Sequence, residues 1–239
     1  MSNFEGMKTE KKKLVFLTGA GVSAESGIRT FRDADGLWEE YPVMDVASAT
    51  GFRRNPALIH KFYNERRAQL LTTEPNAAHR AIARLEEKFD VRVITQNVDN
   101  LHERAGTPKN HIIHLHGELM KVRALDDDTK VYELVPPEIE TTTATRIDGH
   151  YVRPHIVFFE EAVPMIEPAA EVVSEADILV IVGTSLNVYP AAGLINYARP
   201  GVPVYYIDPK PAAVSPRVHV IAEPATKGME ILEKELEKE

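Results

Sequence analysis

Short apolar runs recur along the chain, and each is bounded by glycine or by a cluster of polar residues. Runs of this length are typical of buried β-strands, because a helix needs a longer periodic segment. The pattern predicts strands at residues 14–18, 91–95, 112–115, 156–159, 178–182, 202–207 and 218–221.

Segments with helical periodicity lie between these runs. Leu58, Phe62 and residues 68–71 recur at helical spacing, and they follow a pair, Asn55-Pro56, that is typical of a helix start. Further helices are predicted to open at 23–26 and to span 77–88, 168–175 and 229–239. Strands that alternate with helices predict an α/β fold, namely a doubly wound parallel sheet.

Polar or glycine-rich clusters follow three of the predicted strands. They are residues 19–21, 96–102 and 116–117. Because ligands bind beyond the carboxyl ends of strands in open parallel sheets, we expect these clusters to converge on one crevice. Gly19, Gly21 and Ala24 also fit the G-x-G-x-x-G/A spacing of dinucleotide-binding turns. An ordinary glycine-rich turn between a strand and a helix explains that spacing equally well.

Composition and charge limit the kinds of partner that the chain is expected to bind and the compartment in which it is expected to work. A net charge of -8 over 239 residues disfavours nucleic acid, and a cationic peptide is the more natural partner. The sequence contains neither a long apolar run nor a signal peptide, so we expect no membrane association and a cytoplasmic location. The absence of cysteine excludes disulfides and thiol nucleophiles. The sequence leaves the oligomeric state open, with a monomer favoured.

His111, His114 and His116 form an H-x-x-H-x-H pattern with two competing interpretations. Residues two apart on a strand share a face, so His114 and His116 could bind one metal ion. No third ligand stands at a reliable spacing, and a histidine at a strand end suits an acid-base role at least as well. The residues alone leave the roles of these histidines undecided.

Several motifs together resemble one family. They are GAGVSAESGIRTFR, TQNVDNLH, the His116-Gly117 pair, RPHIVFF and GTSLNVYP, and they occur in the order found in sirtuins, the NAD-dependent protein lysine deacylases. The resemblance covers most of residues 14–232. It implies a Rossmann-type NAD-binding domain at 14–40, 75–117 and 156–235, a small domain inserted at 41–74 and 118–155, and an N-terminal extension at 1–13.

The resemblance also implies roles for individual residues. His116 matches the catalytic base. In sirtuins the acyl oxygen of the modified lysine attacks the ribose as nicotinamide leaves, and the base then takes a proton from a ribose hydroxyl. Water finally releases lysine and O-acyl-ADP-ribose. Asn97 and Asp99 are implied both in catalysis and in NAD binding. The other implied NAD-binding residues are Gly19, Ala20, Gly21, Ala24, Ile28, Phe31, Arg32, Trp38, Gln96, Gly183, Thr184, Ser185, Asn187, Asp208 and Ala225.

Tyr63 and Arg66 stand three apart, and on a helix they would share one face. Spacing alone equally fits a core tyrosine beside a solvated arginine. The segment is similar to that of class III sirtuins, whose matching pair binds the carboxylate of succinyl- or malonyl-lysine. Guanidinium and phenol donors suit a carboxylate and offer nothing to an acetyl methyl. We therefore predict an acidic-acyl deacylase, with deacetylation also open and with acyl-lysine proteins or peptides as substrates.

The small domain departs from the sirtuin pattern. Sirtuins usually carry four cysteines that hold a structural zinc, whereas this chain has none and carries Ala124 near the first expected position. A tetrathiolate site is impossible, so we predict no metal site and a stability that does not respond to chelators. The small domain must be held by packing, and the residues predicted to pack it are Val131, Tyr132, Leu134 and Tyr151.

A second departure lies in the segment expected to bind the substrate peptide by strand addition. The resemblance implies that this segment contains Val157, Phe158, Phe159 and Glu160. Glu160 stands where sirtuins usually have glycine, and its side chain would either crowd the peptide or favour basic flanking residues. Asp208 stands where many sirtuins have asparagine, although a carboxylate accepts from a ribose hydroxyl equally well.

Three alternative functions remain open at this point. The first is a module that senses NAD or ADP-ribose without turnover, which the departure at Glu160 keeps open. The second is an ADP-ribosyltransferase of the same family. The third is a nicotinamide dehydrogenase. Only the resemblance argues against it, through the polar set Gln96, Asn97, Asp99 and His116.

Overall fold

A six-stranded parallel sheet forms the centre of the computed structural model, which describes residues 11–28, 37–38 and 40–238. In chain order the strands of these residues are β1 (Lys13–Thr18), β2 (Leu37–Trp38), β3 (Tyr41–Pro42), β4 (Asp90–Thr95), β5 (Ile112–His114), β6 (Gly117–Ala124), β7 (Val131–Glu133), β8 (Arg146–Ile147), β9 (His150–Ile156), β10 (Ile178–Val182), β11 (Val204–Ile207) and β12 (Val218–Ile221). The order of strands in the central sheet is β12-β11-β10-β1-β4-β5.

Strand β1 lies in the middle of the sheet, where the order of the strands reverses. Phe16 is in register with Val93 of β4 on one side and with Val180 of β10 on the other. All six strands run parallel, so their carboxyl ends meet at one edge. A crevice forms at such a reversal point. The predicted doubly wound α/β class is confirmed.

Helices cover both faces of the central sheet. In chain order the α-helices of the described residues are α1 (Val43–Val46), α2 (Ala49–Arg54), α3 (Pro56–Thr72), α4 (Ala77–Arg84), α5 (Leu101–Ala105), α6 (Ile166–Ser174) and α7 (Ala225–Leu236). Helices α4 and α7 pack on one face, and α6 packs on the other. Burial on both faces explains why the strands are continuous apolar runs. Among the described residues, no helix has the length and apolar character that crossing a bilayer would require.

The start of α3 follows the capping chemistry that the sequence predicts. The side-chain oxygen of Asn55 accepts a hydrogen bond from the amide of Leu58 at 3.1 Å, and Pro56 occupies the first helical position. These two residues satisfy or remove amide groups that have no partner inside the helix. Helix α3 therefore begins at a defined residue and presents its faces in a fixed orientation.

The segment after β1 differs from its prediction. It forms two short 3₁₀ turns, Ala20–Val22 and Ala24–Ser26, so the prediction of a helix opened by residues 23–26 is wrong. Gly27 has φ of +89° and ends the second turn in a conformation that glycine tolerates best. The Ser23 hydroxyl donates to the carboxylate of Asp99 instead of capping a helix.

The segment 156–159 also differs, because it adds no strand to the central sheet. Ile156 ends β9, which pairs antiparallel with β6 in a separate sheet of order β7-β6-β9-β8. Beyond it, the amide of Val157 bonds to the carbonyl of His116, and the amide of Phe159 bonds to the carbonyl of Ala47. These bonds hold the segment beside α1 and α2.

An apolar core packs the small antiparallel sheet. Its buried members are Val122, Leu134, Ile139 and Val152, and Tyr132 packs against them. The predictions for Leu134 and Tyr132 are confirmed, but those for Val131 and Tyr151 are wrong, since these side chains are 39% and 44% exposed. Alternate residues of a strand face opposite sides, so Tyr132 and Val152 point inward while their neighbours point out.

A fully buried arginine ties α3 to this small sheet. Arg67 is 0% exposed; its Nε donates to the carbonyl of Leu119 at 2.9 Å, and its Nη1 donates to the carbonyl of Ile139 at 3.2 Å. Asn64 accepts from the same guanidinium at 2.6 Å and from the amide of Thr141 at 3.0 Å. Burial lowers the pKa of Arg67 to about 10, so it stays cationic at neutral pH.

We expect Arg67→Met to lower the free energy of unfolding by about 2–4 kcal/mol, because buried carbonyl groups lose their donors. Urea unfolding followed by circular dichroism measures the loss. Lys61→Met, an exposed position on the same helix, should change stability by less than about 0.5 kcal/mol. A loss as small as that of the control would show that the guanidinium network does not stabilise the fold.

Candidate active site

A cleft of about 730 Å³ opens at the carboxyl edge of the central sheet. It is lined by residues that follow β1, β4, β5, β10 and β11, by α3 and by the segment after β9. The NAD-binding residues expected from the sequence that line it are Gly19, Ala20, Gly21, Ala24, Ile28, Trp38, Gln96, Asn97, Asp99, Gly183, Thr184, Ser185, Asp208 and Ala225. The structure thus brings the three polar clusters into one crevice.

Three expected residues are not among those that line the cleft in the described part of the chain. Phe31 and Arg32 fall outside the described residues. Asn187 is exposed and is not part of the cleft lining. Asp208, in contrast, is 2% exposed, and its carboxylate accepts from the amide of Lys210 at 2.8 Å.

Two glycine turns pack main chain against main chain at the base of the cleft. The amide of Gly21 donates to the carbonyl of Gly183 at 2.8 Å. A Cβ on Gly21 would stand 2.6 Å from the Cα of Gly183, and Gly183 has φ of +64°. Glycine is therefore required at both positions, and the bare backbone leaves room for a ligand to approach the chain. A dinucleotide fits a cradle of this kind.

The polar residues after β4 are fixed by hydrogen bonds to both glycine turns. Gln96 Nε2 donates to Thr184 Oγ1 at 3.1 Å, and Asn97 Nδ2 donates to the carbonyl of Gly19 at 3.2 Å. Asp99 accepts from the amide of Leu101 at 3.1 Å. Burial raises the pKa of Asp99, although the hydrogen bonds from the Leu101 amide and the Ser23 hydroxyl oppose the shift. The side chains are therefore held in place before any ligand binds.

Ser23 and His79 extend this network, and neither was predicted from the sequence as a site residue. The amide of Asn76 donates to His79 Nδ1 at 3.3 Å, so the neutral ring carries its proton on Nε2 and donates to Ser23 Oγ at 3.3 Å. Ser23 Oγ donates in turn to Asp99 at 3.0 Å. Burial lowers the pKa of His79 to about 4, which keeps the ring neutral. In the sequence, the only indication of this chain of hydrogen bonds was Ser23, the polar residue that follows the glycine turn.

His116 lies in the cleft where β5 passes into β6. Gly117 follows it with φ of +84°, and a Cβ there would stand 2.0 Å from the carbonyl oxygen of His155. That close approach fixes the turn that presents His116 to the cleft. Burial lowers the pKa of His116 below its ordinary value, so the ring is a neutral base at neutral pH.

The lowered pKa predicts where activity should fall at acid pH. A base must be deprotonated to act, so kcat/KM should stay at its plateau down to pH values below the ordinary histidine pKa of about 6.5. It should then decline with unit slope. A profile of log kcat/KM against pH measures this limb, and an inflection at or above the ordinary value would contradict the assignment of His116 as a base in a buried site.

Tyr63 and Arg66 face the cleft from α3. Tyr63 is fully buried, and Arg66 is 16% exposed with its guanidinium 5.0 Å from the ring centre of Phe62. The Tyr63 hydroxyl and the Nε and Nη1 atoms of Arg66 have no hydrogen-bond partner among the described residues. Among the described residues, the carboxylate that pairs with Arg66 is that of Glu65, at 4.0 Å. Burial raises the pKa of Tyr63, so its phenol remains a donor.

The segment after β9 forms the wall across from the sheet. The members expected to bind substrate, Val157, Phe158, Phe159 and Glu160, all line the cleft. Glu160 has φ of +74°, a conformation that glycine adopts more easily, and its carboxylate accepts from the amide of Thr50 at 2.9 Å. Glu161 accepts from Arg153 at 2.6 Å and from the amide of Phe158 at 2.8 Å, which fixes this wall to the small sheet.

The other two histidines of the H-x-x-H-x-H pattern have separate acidic partners. His111 Nδ1 lies 2.9 Å from Glu86 Oε1, and His114 Nε2 lies 2.8 Å from Glu103 Oε1. Glu118 is also close to His114, but its carboxylate is bound by Lys121 at 2.7 Å. In the structure the carboxylates beside His114 therefore pair with His114 itself and with Lys121. Nothing in the spacing of the sequence predicted Glu103 as the partner of His114.

Comparisons with known proteins agree with this geometry. The model of the Sir2 family matches residues 19–190. An NAD-dependent protein deacylase of Bacteroides thetaiotaomicron is 56% identical over 227 residues, covering 92% of this chain and 96% of that protein. One from Helicobacter pylori is 49% identical, with coverages of 92% and 96%. A solved complex of a Sir2 homolog with NAD is 37% identical and superposes with a TM-score of 0.83, covering 96% of this chain and 91% of the other.

Proposed function

This chain belongs to the Sir2 family and is an NAD-dependent protein deacylase, and we propose that it prefers acidic acyl groups, succinyl or malonyl, on lysine side chains. The observation that carries the preference is the pair Tyr63 and Arg66, whose buried donor atoms have no hydrogen-bond partner in the part of the chain that the structure describes. A carboxylate at the end of an acyl chain would satisfy them.

The chemistry of this pair favours an anion over a neutral acyl group. The Nε and Nη1 atoms of Arg66 are buried with no acceptor among the described residues, and this is costly because burial removes water that the protein has not replaced. Hydrogen bonds between charged groups contribute about 1.5–3 kcal/mol each, and a guanidinium can make two to one carboxylate. The rings of Trp38, Phe62 and Phe158 surround Tyr63, so water would compete weakly for these donors. An acetyl group ends in a methyl and would use none of them.

The residues of the glycine turns and of the cluster after β4 fit the cofactor. NAD supplies an electrophilic ribose carbon from which nicotinamide departs. Gly19, Gly21 and Gly183 would lie against the phosphates or the adenosine side, where side chains would clash with the backbone. Asn97 and Asp99, held by Ser23, would face the nicotinamide end. His116, as a neutral base in the same cleft, would take a proton from a ribose hydroxyl.

The segment 157–160 would bind the substrate peptide. The main-chain amide and carbonyl of Phe159 are bonded to Ala47 and Ala49, so strand addition must use other polar groups of this wall. The carboxylate of Glu160 is bound to the start of α2 through Thr50, where it would meet residues that flank the acyl-lysine. Its negative charge favours basic flanking residues.

Mass spectrometry of matched peptides tests the proposed preference. Peptides of one sequence that carry succinyl-, malonyl- or acetyl-lysine are incubated with the protein and NAD. We expect the acidic groups to be lost faster, with release of nicotinamide and O-acyl-ADP-ribose. Tyr63→Phe removes one donor and should slow removal of the acidic groups by about tenfold while sparing acetyl.

Two outcomes would contradict parts of the proposal. Equal removal of all three groups would refute the role of Tyr63 and Arg66 and leave the deacylase activity in place. Binding of NAD without turnover of any peptide would favour a module that senses the nucleotide. In that case the departure at Glu160 would be the first position to revert, as Glu160→Gly.

A further inference from the structure

His114 lies between two oxygen acceptors directly behind the cleft. Its Nδ1 is 3.1 Å from the main-chain carbonyl oxygen of Asn97, and its Nε2 is 2.8 Å from Glu103 Oε1. The ring is buried, with 8% of the side chain exposed. Neither partner can donate a proton to the ring, because one is a carbonyl and the other is a carboxylate. Both hydrogen bonds therefore form at once only when both ring nitrogens carry protons.

The charges around the ring favour this doubly protonated state. The titratable groups that face His114, or that act on its partners, are Glu103, Asp99 and His102 around α5, Glu118 and Lys121 on β6, and Lys109. Three of these are carboxylates, and burial keeps His102 neutral by lowering its pKa. Burial alone would lower the pKa of His114, but the hydrogen bond and charge of Glu103 outweigh it and raise the pKa above the ordinary value.

The Asn97 carbonyl belongs to the segment that lines the nicotinamide end of the cleft. The Asn97 side chain donates to the Gly19 carbonyl and to Ser23 Oγ, and its amide donates to Thr95 Oγ1 at 3.0 Å. These bonds fix the side chain and the amide. His114 is the group that holds the carbonyl, so it controls the peptide plane between Asn97 and Val98, both of which line the cleft.

We propose that the His114–Glu103 ion pair is a positioning device for NAD, in which the protonated ring holds the Asn97 peptide in the orientation that binds the nicotinamide end. The proposal rests on the proposed function, since it assumes that this end of the cleft receives NAD. His114 acts through Asn97 and is a positioning residue, not a catalytic one.

The His114–Glu103 ion pair should respond to pH in one direction only. When the pH rises through the raised pKa of His114, the ring keeps one proton, and that proton stays on Nε2 facing the carboxylate of Glu103. Nδ1 then presents a lone pair to the Asn97 carbonyl, and the hydrogen bond is replaced by repulsion. The contribution of the pair is thus complete at lower pH and is lost as the pH rises. NAD affinity should weaken on the alkaline side.

Glu103→Gln separates this mechanism from a merely structural role. A glutamine amide can donate to Nε2, which leaves the single proton of a neutral ring on Nδ1 to bond the Asn97 carbonyl. The variant should therefore bind NAD with little pH dependence. His114→Phe should bind NAD weakly at every pH. His111→Gln is the matched control, because His111 forms a similar pair with Glu86 outside the cleft.

Titration calorimetry with NAD, from about pH 6 to about pH 9, reads the affinity without turnover. We expect Kd of the wild-type protein to rise about tenfold across the titration and Kd of Glu103→Gln to stay within about threefold. Equal pH dependence in both proteins, or full NAD affinity in His114→Phe, would overturn the proposal. Failure of the wild-type protein to bind NAD at any pH would instead refute the proposed function.

Nitrogen-15 chemical shifts of the His114 ring provide a second readout that does not depend on ligand. At about pH 6, below the ordinary histidine pKa, both ring nitrogens should show the shifts of an imidazolium in the wild-type protein, and of a neutral ring protonated on Nδ1 in Glu103→Gln. A neutral His114 in the wild-type protein at about pH 6 would overturn the proposal even if the variants fold poorly.

Discussion

His116→Ala is expected to lower the turnover of acyl-lysine peptides by about 10²–10⁴-fold, because it removes the only base that the proposed reaction places in the cleft. Binding of NAD should persist, since the glycine turns and the cluster after β4 make no hydrogen bond to this side chain among the described residues. Release of nicotinamide and of free lysine, followed by mass spectrometry, measures the loss. Calorimetry with NAD shows that the variant still has its cleft.

A matched control for this variant is His111→Ala, which removes a histidine near the same strand but outside the cleft. Its turnover should be unchanged. Turnover of His116→Ala within about tenfold of the wild-type rate would show that another group, or water, accepts the proton. The Ser23–Asp99 network would then be the next candidate for the base.

Arg66→Met should reverse the acyl preference. Loss of a guanidinium that binds a buried carboxylate is expected to lower kcat/KM for succinyl- and malonyl-lysine by about 10²–10³-fold. Methionine fills much of the same volume beside Phe62, and the acetyl group does not use the charge, so kcat/KM for acetyl-lysine should stay within about threefold. Kinetics on the three matched peptides measure both effects in one experiment.

Lys61→Met controls for removal of a positive charge from the same helix, because Lys61 is exposed and points away from the cleft. It should leave all three rates unchanged. Equal losses for acidic and acetyl substrates in Arg66→Met would indicate a damaged cleft and not a lost carboxylate site. If Arg66→Met still prefers succinyl and malonyl groups, other donors must bind the carboxylate of these groups.

The strands and the convergence of the polar clusters could be predicted from the sequence because both depend on local pattern. A parallel sheet buried on both faces requires continuous apolar runs, and its topology brings the ends of those runs to one edge. Residues 218–221, for example, were predicted as a strand and form β12 with the same bounds. The glycine turns of the cradle could be predicted for a similar reason, because the spacing of their glycines reflects close contact between two stretches of backbone.

The features that escaped prediction depend on contacts between distant parts of the chain. Residues 24–26 form a 3₁₀ turn, and Ser23 before it bonds to Asp99, far along the sequence. Residues 156–159 are an apolar run that satisfies its amides on His116 and Ala47 and not in the central sheet. His114 and Glu103 became a pair only when β5 and α5 packed together. No periodicity marks such partners in advance.

Helix α3 serves two purposes on adjacent faces, and this arrangement affects how the protein can be altered by directed evolution. Tyr63 and Arg66 face the cleft, while His60, Asn64 and Arg67 bond to one another or to the segment that contains Thr141. Under the proposed assignment, a library randomised at Arg66, which is 16% exposed, samples new acyl groups on an intact scaffold, whereas Tyr63 is a buried core residue that tolerates few replacements. Randomising the other three loosens the scaffold itself. Under the proposed assignment, new substrate ranges are accessible mainly through the codon of Arg66, provided that His60, Asn64 and Arg67 are left untouched.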